Sequence, residues 1–250
     1  MKRWGVIPAA GLGTRIQPLA FSKELLPVGT RFDGTIERPR AVSEYLLDRM
    51  LMAGVDRVCF VISPAKTDIV NYFGAEIGDT PICYVVQQNP HGLCDALFSA
   101  LPFISPEDEV CIGLPDTIWF PENGFEMLPA GQFSFLLFPV ERPELFDAVM
   151  TDPEGRIERI QVKEPNAASH WIWGAFKFTG AHLAALHRLW MERRCSDEYL
   201  GTLVNAYIAH GARVQGVKQG EVYVDVGTLH GYREAVRVLS KQVQAHELAS

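Results

Sequence analysis

The stretch that decides the fold is residues 6–28, which read VIPAAGLGTRIQPLAFSKELLPV. The apolar pair Val6-Ile7, followed by Gly11 and Gly13, is typical of a buried strand that ends in a glycine turn. Glycine lets the backbone approach a ligand closely because it has no Cβ, and successive N–H groups in such a turn bind anions. A helix N-terminus after the turn would add positive potential. We therefore expect a phosphate-binding loop at the carboxyl end of the first strand.

Two basic residues follow this turn. Arg15 carries a planar guanidinium fork and Lys23 a mobile point charge, and both types of side chain bind phosphate. Two better-known glycine loops do not fit: a dinucleotide-binding loop needs Gly or Ala where Ile16 stands, and a Walker loop needs a G-x-x-x-x-G-K-[ST] motif. The alternative interpretation is a structural turn with an arginine beside it.

Residues 11–18 and 23–28 read G-x-G-T-R-x-x-P and K-x-L-x-P-V. This pattern resembles the signature of the sugar-1-phosphate nucleotidyltransferases, which include the glucose-1-phosphate thymidylyl- and uridylyltransferases. The resemblance implies that a nucleoside triphosphate reacts with a sugar 1-phosphate to give a nucleotide sugar and pyrophosphate. It also implies that Arg15 and Lys23 are catalytic and stabilise the departing pyrophosphate. The interval between these two residues is shorter than in most members, which predicts a shortened loop. The residues of the loop expected to bind the nucleotide are Ala10, Gly11, Gly13 and Thr14.

Composition narrows the class of protein. The chain has 250 residues, of which 48% are hydrophobic, and a net charge of −7, which argues against nucleic acid as a partner. Its five cysteines contain no C-x-x-C pair, and four stand in apolar contexts, so we expect these four to be core residues. Because nothing indicates a disulfide, we expect the protein in a reducing, cytoplasmic compartment. We expect neither a signal peptide nor a membrane span, because the required apolar stretches are missing from the sequence.

The pattern of apolar runs predicts an α/β fold. Up to Asp116, strands and helices alternate, beginning with a strand over 5–10, a helix over 38–53 and a strand over 58–62. After Asp116 the chain is richer in strands, which predicts a mixed sheet. With the resemblance, this predicts a three-layer α/β/α, Rossmann-like nucleotide-diphospho-sugar transferase fold with a mixed central sheet.

No repeat, low-complexity tract or long linker divides the chain, so we expect one domain over residues 1–250. Within it, residues 1–116 should form a nucleotide-binding half and residues 117–228 a sugar-binding half that shares the same sheet. Residues 229–250 should form a C-terminal helix.

Two carboxylates stand at the ends of apolar strands. Asp116 ends the segment CIGLPD and Asp225 opens DVGT. A buried carboxylate is costly unless it is paired or binds a cation, and two facing one triphosphate would suit Mg²⁺. The alternative is that each one caps the turn that follows it. The resemblance favours the metal, because similar enzymes place a metal-binding Asp at both points; the Leu-Pro-Asp form is closer to the uridylyltransferases and Asp-x-Gly-Thr to the thymidylyltransferases.

The segment QVKEP contains Lys163, which without other information would be a solvated surface charge. The resemblance implies that this lysine contacts the sugar phosphate, as in the Glu-Lys-Pro segment of the family. Val162 stands where that Glu usually lies, so its hydrogen bond to a sugar hydroxyl does not carry over. Glu164 is the candidate to replace it from a shifted position.

Two further positions belong to the predicted sugar site. Asp147 stands where similar enzymes usually carry a glycine against which the sugar lies, so it is a second departure in this half. Trp171 and Trp173 flank the strand that enters Gly174, which is expected to bind the sugar. The two rings either wall the sugar or are buried aromatic residues of the strand.

The segment YVVQQNPHGL resembles the base-reading segment of the thymidylyltransferases. The amide of Gln87 offers a donor and an acceptor, which suits the imide edge of a pyrimidine, and Gly92 follows at the matching spacing. The alternative is a loop glutamine in solvent.

These expectations combine into one reaction, in which the choice of nucleotide and the identity of the sugar are open. The expected substrates are dTTP or UTP and a sugar 1-phosphate that the sequence does not name, with Mg²⁺ as cofactor; a homo-oligomer is left open. One alternative is a non-catalytic regulatory protein that binds a sugar nucleotide. Another is a glycosyltransferase, which would want a D-x-D motif at the end of the strand carrying Asp116, and none is present there.

Overall fold

The computed structural model describes the backbone of residues 1–247 and the side chains of residues 1–241. The strands are β1 (Arg3–Pro8), β2 (Pro27–Phe32), β3 (Glu37–Ala41), β4 (Arg57–Ile62), β5 (Glu76–Ile77), β6 (Thr80–Val86), β7 (Glu109–Gly113), β8 (Thr117–Phe120), β9 (Ser134–Pro139), β10 (Asp147–Thr151), β11 (Ile157–Val162), β12 (Trp171–Thr179), β13 (Gln215–Val217) and β14 (Val222–Asp225). The helices are α1 (Val42–Met52), α2 (Thr67–Phe73), α3 (Gly92–Ser99), α4 (Gly180–Glu192), α5 (Leu200–Ala209) and α6 (Leu229–Glu247). Residues 248–250 of the predicted C-terminal helix lie outside the described residues.

Ten strands form one mixed sheet. β1 lies between β4 and β7 with all three parallel, and β6 extends the parallel part beside β4. β12 pairs antiparallel with β7 and so joins the second half of the chain to the first. On its other side β12 pairs antiparallel with β9, and the β10–β11 hairpin lies beside its N-terminal end. The predicted mixed sheet is therefore confirmed.

Side chains of the central strands alternate between two apolar layers. In β1, Val6 packs into the core that contains α3, α4 and α5, whereas Ile7 packs into the core that contains α1 and α2. Cys59 and Phe60 of β4 alternate in the same way. Because both faces of these strands are buried, their sequences are continuously apolar, as is usual for parallel strands covered by helices. The predicted three-layer arrangement is confirmed.

The first predicted helix begins later than expected. Residues 38–41 belong to β3, which pairs antiparallel with β2 in a separate two-stranded ribbon, and α1 starts at Val42. Pro39 removes a backbone donor and disfavours helical backbone at Arg38, so a ribbon edge accommodates this pair better than a helix interior. The apolar face at helical spacing begins only after this point.

A second two-stranded ribbon, β8–β14, brings the two predicted metal ligands together. β8 was not predicted; it directly follows Asp116 and pairs antiparallel with β14. The register places Asp225 opposite Thr117, and the N–H of Val226 donates to the carbonyl of Asp116 at 2.9 Å. The buried guanidinium of Arg49 in α1 donates to the carbonyl of Trp119 at 3.0 Å and so anchors β8.

Candidate active site

The carboxylates of Asp116 and Asp225 converge beside Gly227. A Cβ at Gly227 would lie 2.9 Å from Oδ2 of Asp116 and 2.9 Å from Oδ1 of Asp225. The N–H of Gly227 also donates to Oδ1 of Asp225 at 2.8 Å, which fixes that carboxylate. Glycine is therefore needed here, because a side chain would fill the space between the two acids.

Each of these carboxylates faces one of the predicted catalytic cations. Lys23 Nζ lies 2.5 Å from Oδ2 of Asp116, and Arg15 Nη1 lies 2.9 Å from Oδ2 of Asp225. The first pair is largely buried, whereas 62% of the Arg15 side chain is exposed. An exposed pair contributes at most about 1 kcal/mol, so Arg15 can exchange its carboxylate for a phosphate at little cost.

The buried pair shifts the pKa values of both partners. Burial favours the neutral acid, but the ammonium of Lys23 outweighs this and holds the pKa of Asp116 below its ordinary value. Burial likewise opposes the charge on Lys23, but the carboxylates of Asp116, Glu24 and Asp225 raise its pKa above the ordinary value. Both groups are thus charged at neutral pH.

The glycine loop lies directly over this cluster. Gly13 has a left-handed φ of 65°, and a Cβ there would lie 2.7 Å from Cδ of Lys23, so both its backbone and the lysine stem require glycine. Ala10 is buried at the end of β1, while Gly11 and Thr14 are exposed. Residues 11–41 contain turns, a 3-10 helix (Lys23–Leu25) and the β2–β3 ribbon but no α-helix, so the expected helix N-terminus behind the loop is wrong.

A buried ion pair supports the loop from below. Lys66 Nζ lies 2.7 and 2.9 Å from the two carboxylate oxygens of Glu24, which is 1% exposed, and it donates to the carbonyl of Ala9 at 2.6 Å. Ala9 directly follows β1, and Glu24 is next to Lys23. The pair therefore ties the start of the loop to the 3-10 turn that carries Lys23.

The donors present fit a hard divalent cation. Two carboxylate oxygens, one from the turn between β7 and β8 and one from β14, approach the same point, and oxygen ligands are those that Mg²⁺ prefers. The side chains at this point that would compete for the same carboxylates are Arg15 and Lys23, which are also the phosphate-binding candidates. A metal–phosphate complex would therefore satisfy all four charged groups together.

A cleft of about 510 Å³ joins this cluster to the predicted sugar residues. Gly11, Arg15, Lys23 and Asp116 line it from the first half of the chain. Its lining residues from the second half are Thr117, Glu144, Leu145, Phe146, Asp147, Lys163, Trp173, Tyr199, Leu200, Tyr223 and Asp225. The fold thus brings Gly11 of the predicted loop, the three predicted cations, both predicted metal ligands and Asp147 to one opening.

Lys163 enters the cleft from an unusual backbone conformation. Its φ is 48°, in the left-handed region that a non-glycine residue adopts only at a cost of about 1 kcal/mol. Its N–H donates to the carbonyl of Phe146 at 3.1 Å, and its ammonium lies 4.4 Å from the centre of the Tyr199 ring. The ammonium is thus held by an aromatic face and keeps its donors for a ligand.

Asp147 places a carboxylate in the sugar-facing part of the cleft. Trp173 Nε1 donates to its Oδ2 at 3.4 Å, while its Oδ1 is buried with no hydrogen-bond partner among the described residues. Burial raises the pKa of Asp147, against the opposing effects of the Trp173 bond and of Lys163. This carboxylate therefore lacks the donors that a buried acid requires.

Glu164 and Gly174 do not line the cleft. Glu164 pairs with Arg159 and accepts from Gln161 Nε2 at 3.0 Å, both outside the cleft. A Cβ at Gly174 would lie 2.6 Å from the ring of Tyr223 and 2.7 Å from that of Phe138, so its glycine is explained by ring packing. The sugar-binding roles expected of these two residues stay predictions.

Val162, the departure beside Lys163, has a packing role. It lies opposite Asp147 in the β10–β11 pair, and its Cγ2 would be 2.7 Å from a Cβ at Gly201 in α5. An apolar side chain fits this close contact with the helix. The position is thus filled by the core and not by a sugar-binding acid.

Gln87 and Gly92 lie at the carboxyl end of the sheet. Gln87 follows β6, is 6% exposed, and its side-chain Nε2 donates to the carboxylate of Asp95. Gly92 has a φ of 89°, and a Cβ there would lie 2.7 Å from the carbonyl of Glu198. The alternative of a solvent-exposed Gln87 is therefore wrong, while its role in reading a base stays a prediction.

Sequence reasoning missed several residues of the site. Tyr223 stands two residues before Asp225 on a strand, so the alternation of the strand was a signal that both face one side. Gly227 also had a signal, in the glycine that follows Asp225. Tyr199 and the pairing of Glu24 with Lys66 had none, because long-range packing determines those contacts.

The geometry defines an α/β protein whose cleft holds a glycine loop, two basic side chains and two converging carboxylates. A family model described as "Nucleotidyl transferase" matches residues 4–242, so the chain belongs to that family, as the resemblance predicted. Proteins of this family bind nucleoside triphosphates and sugar phosphates and generally depend on a metal.

Individual relatives agree with this placement. A UTP–glucose-1-phosphate uridylyltransferase from Haloferax volcanii (AglF) is 23% identical over 245 residues, which cover 95% of this chain and 96% of the relative. One from Mycoplasma pneumoniae is 30% identical over 145 residues, 48% of this chain. That match spans less than half (46%) of the relative's own length.

Solved structures share the fold. A UTP-bound UGPase from Acinetobacter baumannii superposes with a TM-score of 0.77 at 20% identity, covering 96% of this chain and 93% of that one. A Bacillus anthracis structure described as a glucose-1-phosphate thymidylyltransferase gives a TM-score of 0.80 at 19% identity, with 94% of both chains covered. The predicted nucleotidyltransferase fold is confirmed. Among residues 1–247, no helix combines the length and apolar character needed to cross a membrane.

Proposed function

We propose that the chain transfers the nucleotidyl group of UTP or dTTP to a sugar 1-phosphate and releases pyrophosphate. The observation that carries this proposal is the convergence of Arg15, Lys23, Asp116 and Asp225 at the mouth of a cleft that also contains Lys163. In this proposal residues 1–116 form the nucleotide half and residues 117–228 the sugar half. The names of the relatives support both nucleotides, one in the uridylyltransferases and the other in the thymidylyltransferase.

The reaction needs positioning and charge stabilisation more than proton transfer. A phosphate monoester has a second pKa of about 6, so the sugar phosphate oxygen is already anionic at neutral pH. That oxygen attacks the α-phosphorus, the bond from the α-phosphorus to the bridging oxygen breaks, and pyrophosphate leaves. Holding the two reactants in line lowers the barrier, as does neutralising the charge that develops.

Each charged residue has a place in this scheme. Backbone N–H groups of the loop at Gly11 and Gly13 hold the triphosphate, and Arg15 and Lys23 bind the departing pyrophosphate. Lys163, fixed over the Tyr199 ring, orients the sugar phosphate. Asp116 and Asp225 would hold Mg²⁺, which supplies charge neutralisation to the phosphates when it is bound.

The test is a grid of substrates. Pyrophosphate release is measured with Mg²⁺, each of UTP, dTTP, CTP and GTP, and a panel of sugar 1-phosphates. Turnover with UTP or dTTP and at least one sugar is expected, and Arg15→Ala should lose most of it. Tight binding of a sugar nucleotide without turnover for any pair would replace the enzyme by the regulatory protein considered from the sequence.

A further inference from the structure

The amide of Gln87 has a defined orientation. A carboxylate such as that of Asp95 only accepts hydrogen bonds, so the side-chain nitrogen of Gln87 has to face it. The amide oxygen Oε1 consequently faces the other way. Among the described residues it is buried and has no hydrogen-bond donor, an arrangement that costs free energy unless a ligand supplies the donor.

A second unpaired polar atom lies on the neighbouring strand. Ser63 follows β4 as Gln87 follows β6, and its Oγ is likewise buried without a partner among the described residues. Val61 and Val85 are paired in register, so Ser63 and Gln87 are each two residues further along and project to the same face. The two residues therefore lie side by side at the carboxyl edge of the sheet.

This edge is where the phosphate loop also lies. β4 is paired with both β1, which ends at the loop, and β6, which ends at Gln87. Open α/β sheets bind ligands outside the carboxyl ends of their strands. A nucleotide whose phosphates lie on the loop would thus extend its base toward the ends of β4 and β6.

We infer that Asp95 is a positioning residue that selects the base: it holds Gln87 so that only an acceptor faces the nucleotide. Uracil and thymine present an N3–H donor to that acceptor, whereas cytosine presents an unprotonated N3. The inference rests on the proposed function and goes beyond it, because it assigns selection between pyrimidines to a residue that does not touch the base.

The decisive variant is Asp95→Asn. Its amide can accept from or donate to Gln87, so the glutamine is free to rotate and offer either a donor or an acceptor. A site built to pair with one group rejects the wrong one strongly, so the wild type should prefer UTP over CTP by about 100-fold or more. Asp95→Asn should reduce this ratio about ten-fold, the scale of one lost hydrogen bond to a charged group.

The measurement is binding of UTP and of CTP to the full chain by calorimetry with Mg²⁺, together with pyrophosphate release. Ser99→Ala is the matched control, because Ser99 Oγ donates to the main-chain carbonyl of Asp95 at 2.9 Å and leaves the carboxylate untouched. This control should keep the wild-type ratio. Gln87→Met removes the amide and should lower the ratio as far as Asp95→Asn does, with no further loss in the double variant.

The outcomes separate the inference from the proposed function. If Asp95→Asn weakens UTP and CTP equally while its thermal unfolding is unchanged, Asp95 is structural and the inference is wrong. Should Asp95→Asn fail to fold, an unchanged UTP:CTP ratio in Gln87→Met overturns the inference by itself. A wild type that binds no nucleotide overturns the proposed function as well, whereas turnover with an unchanged ratio in both variants overturns the inference alone.

Discussion

The proposed nucleotide half and the proposed sugar half of the cleft hold their charges in opposite ways. In the proposed nucleotide half, Lys23 pairs with Asp116, and Arg15 pairs across the cleft with Asp225 of the other half, so these charged groups neutralise one another. In the sugar half, one oxygen of Asp147 has no partner among the described residues and Lys163 lies over an aromatic ring. In the first half, a ligand would therefore replace one partner of an existing ion pair. In the second half, a ligand would donate a hydrogen bond that the protein does not supply.

The supports beneath the two halves differ as well. The loop rests on the buried pair of Glu24 and Lys66, which fixes the backbone by charge. The sugar half rests on packed rings, with Phe146 and Tyr223 edge to face at 5.8 Å between centroids. A buried charge requires one particular partner, whereas packed rings tolerate several different side chains. Substitutions in the sugar half should therefore change specificity with the smallest loss of stability.

The largest expected effect comes from breaking the support of the loop. Lys66→Met leaves the carboxylate of Glu24 buried without its cation, and removing one partner of a buried pair costs about 3–5 kcal/mol of unfolding free energy. Denaturant unfolding measures this loss. The double variant Glu24→Leu/Lys66→Met should recover most of it, since it removes both charges. Equal losses in the single and double variants would show that packing, and not the uncompensated charge, is responsible.

Next in size is the loss of charge stabilisation in the nucleotide half. Arg15→Ala should lower kcat by about 10²–10³, the scale of a donor lost from a transition state. Its stability should be nearly unchanged because the side chain is exposed. Arg159→Ala is the control, since Arg159 is also exposed and paired but lies outside the cleft. Near-wild-type pyrophosphate release by Arg15→Ala would contradict the assignment.

Asp147 tests the other side of the comparison. If its unpaired oxygen receives a hydrogen bond from the sugar, Asp147→Gly should raise the KM for the preferred sugar 1-phosphate about ten-fold, as expected for a lost bond to a charged group. The KM for the nucleoside triphosphate should stay the same. Asp147→Asn retains the size of the side chain and should show a smaller rise. An unchanged sugar KM in both variants would return Asp147 to a structural role.

How much the sequence predicts differs between the two halves for physical reasons. Continuous apolar runs located the central strands, such as the one over 58–62 that the structure places at Arg57–Ile62, because local patterns determine these elements. Asp116 and Asp225 could be paired before their contact was seen, since both end apolar strands. The β2–β3 ribbon was hidden by the helical spacing that follows it, and the Gln87–Asp95 bond arises only when the connection from β6 to α3 folds.

The smallest effect is expected at Glu164. This variant tests whether the sugar site ends before Glu164. The sequence made this residue a candidate for the missing sugar-binding acid, but its carboxylate pairs with Arg159 and accepts from Gln161 away from the cleft. Glu164→Ala should therefore change the sugar KM by less than about two-fold, and stability by at most about 1 kcal/mol, as for other exposed pairs. Steady-state kinetics with the preferred sugar 1-phosphate measures the first and denaturant unfolding the second. A sugar KM that rises as far as in Asp147→Gly would mean that the β11–β12 connection rearranges when the sugar binds and brings Glu164 to it.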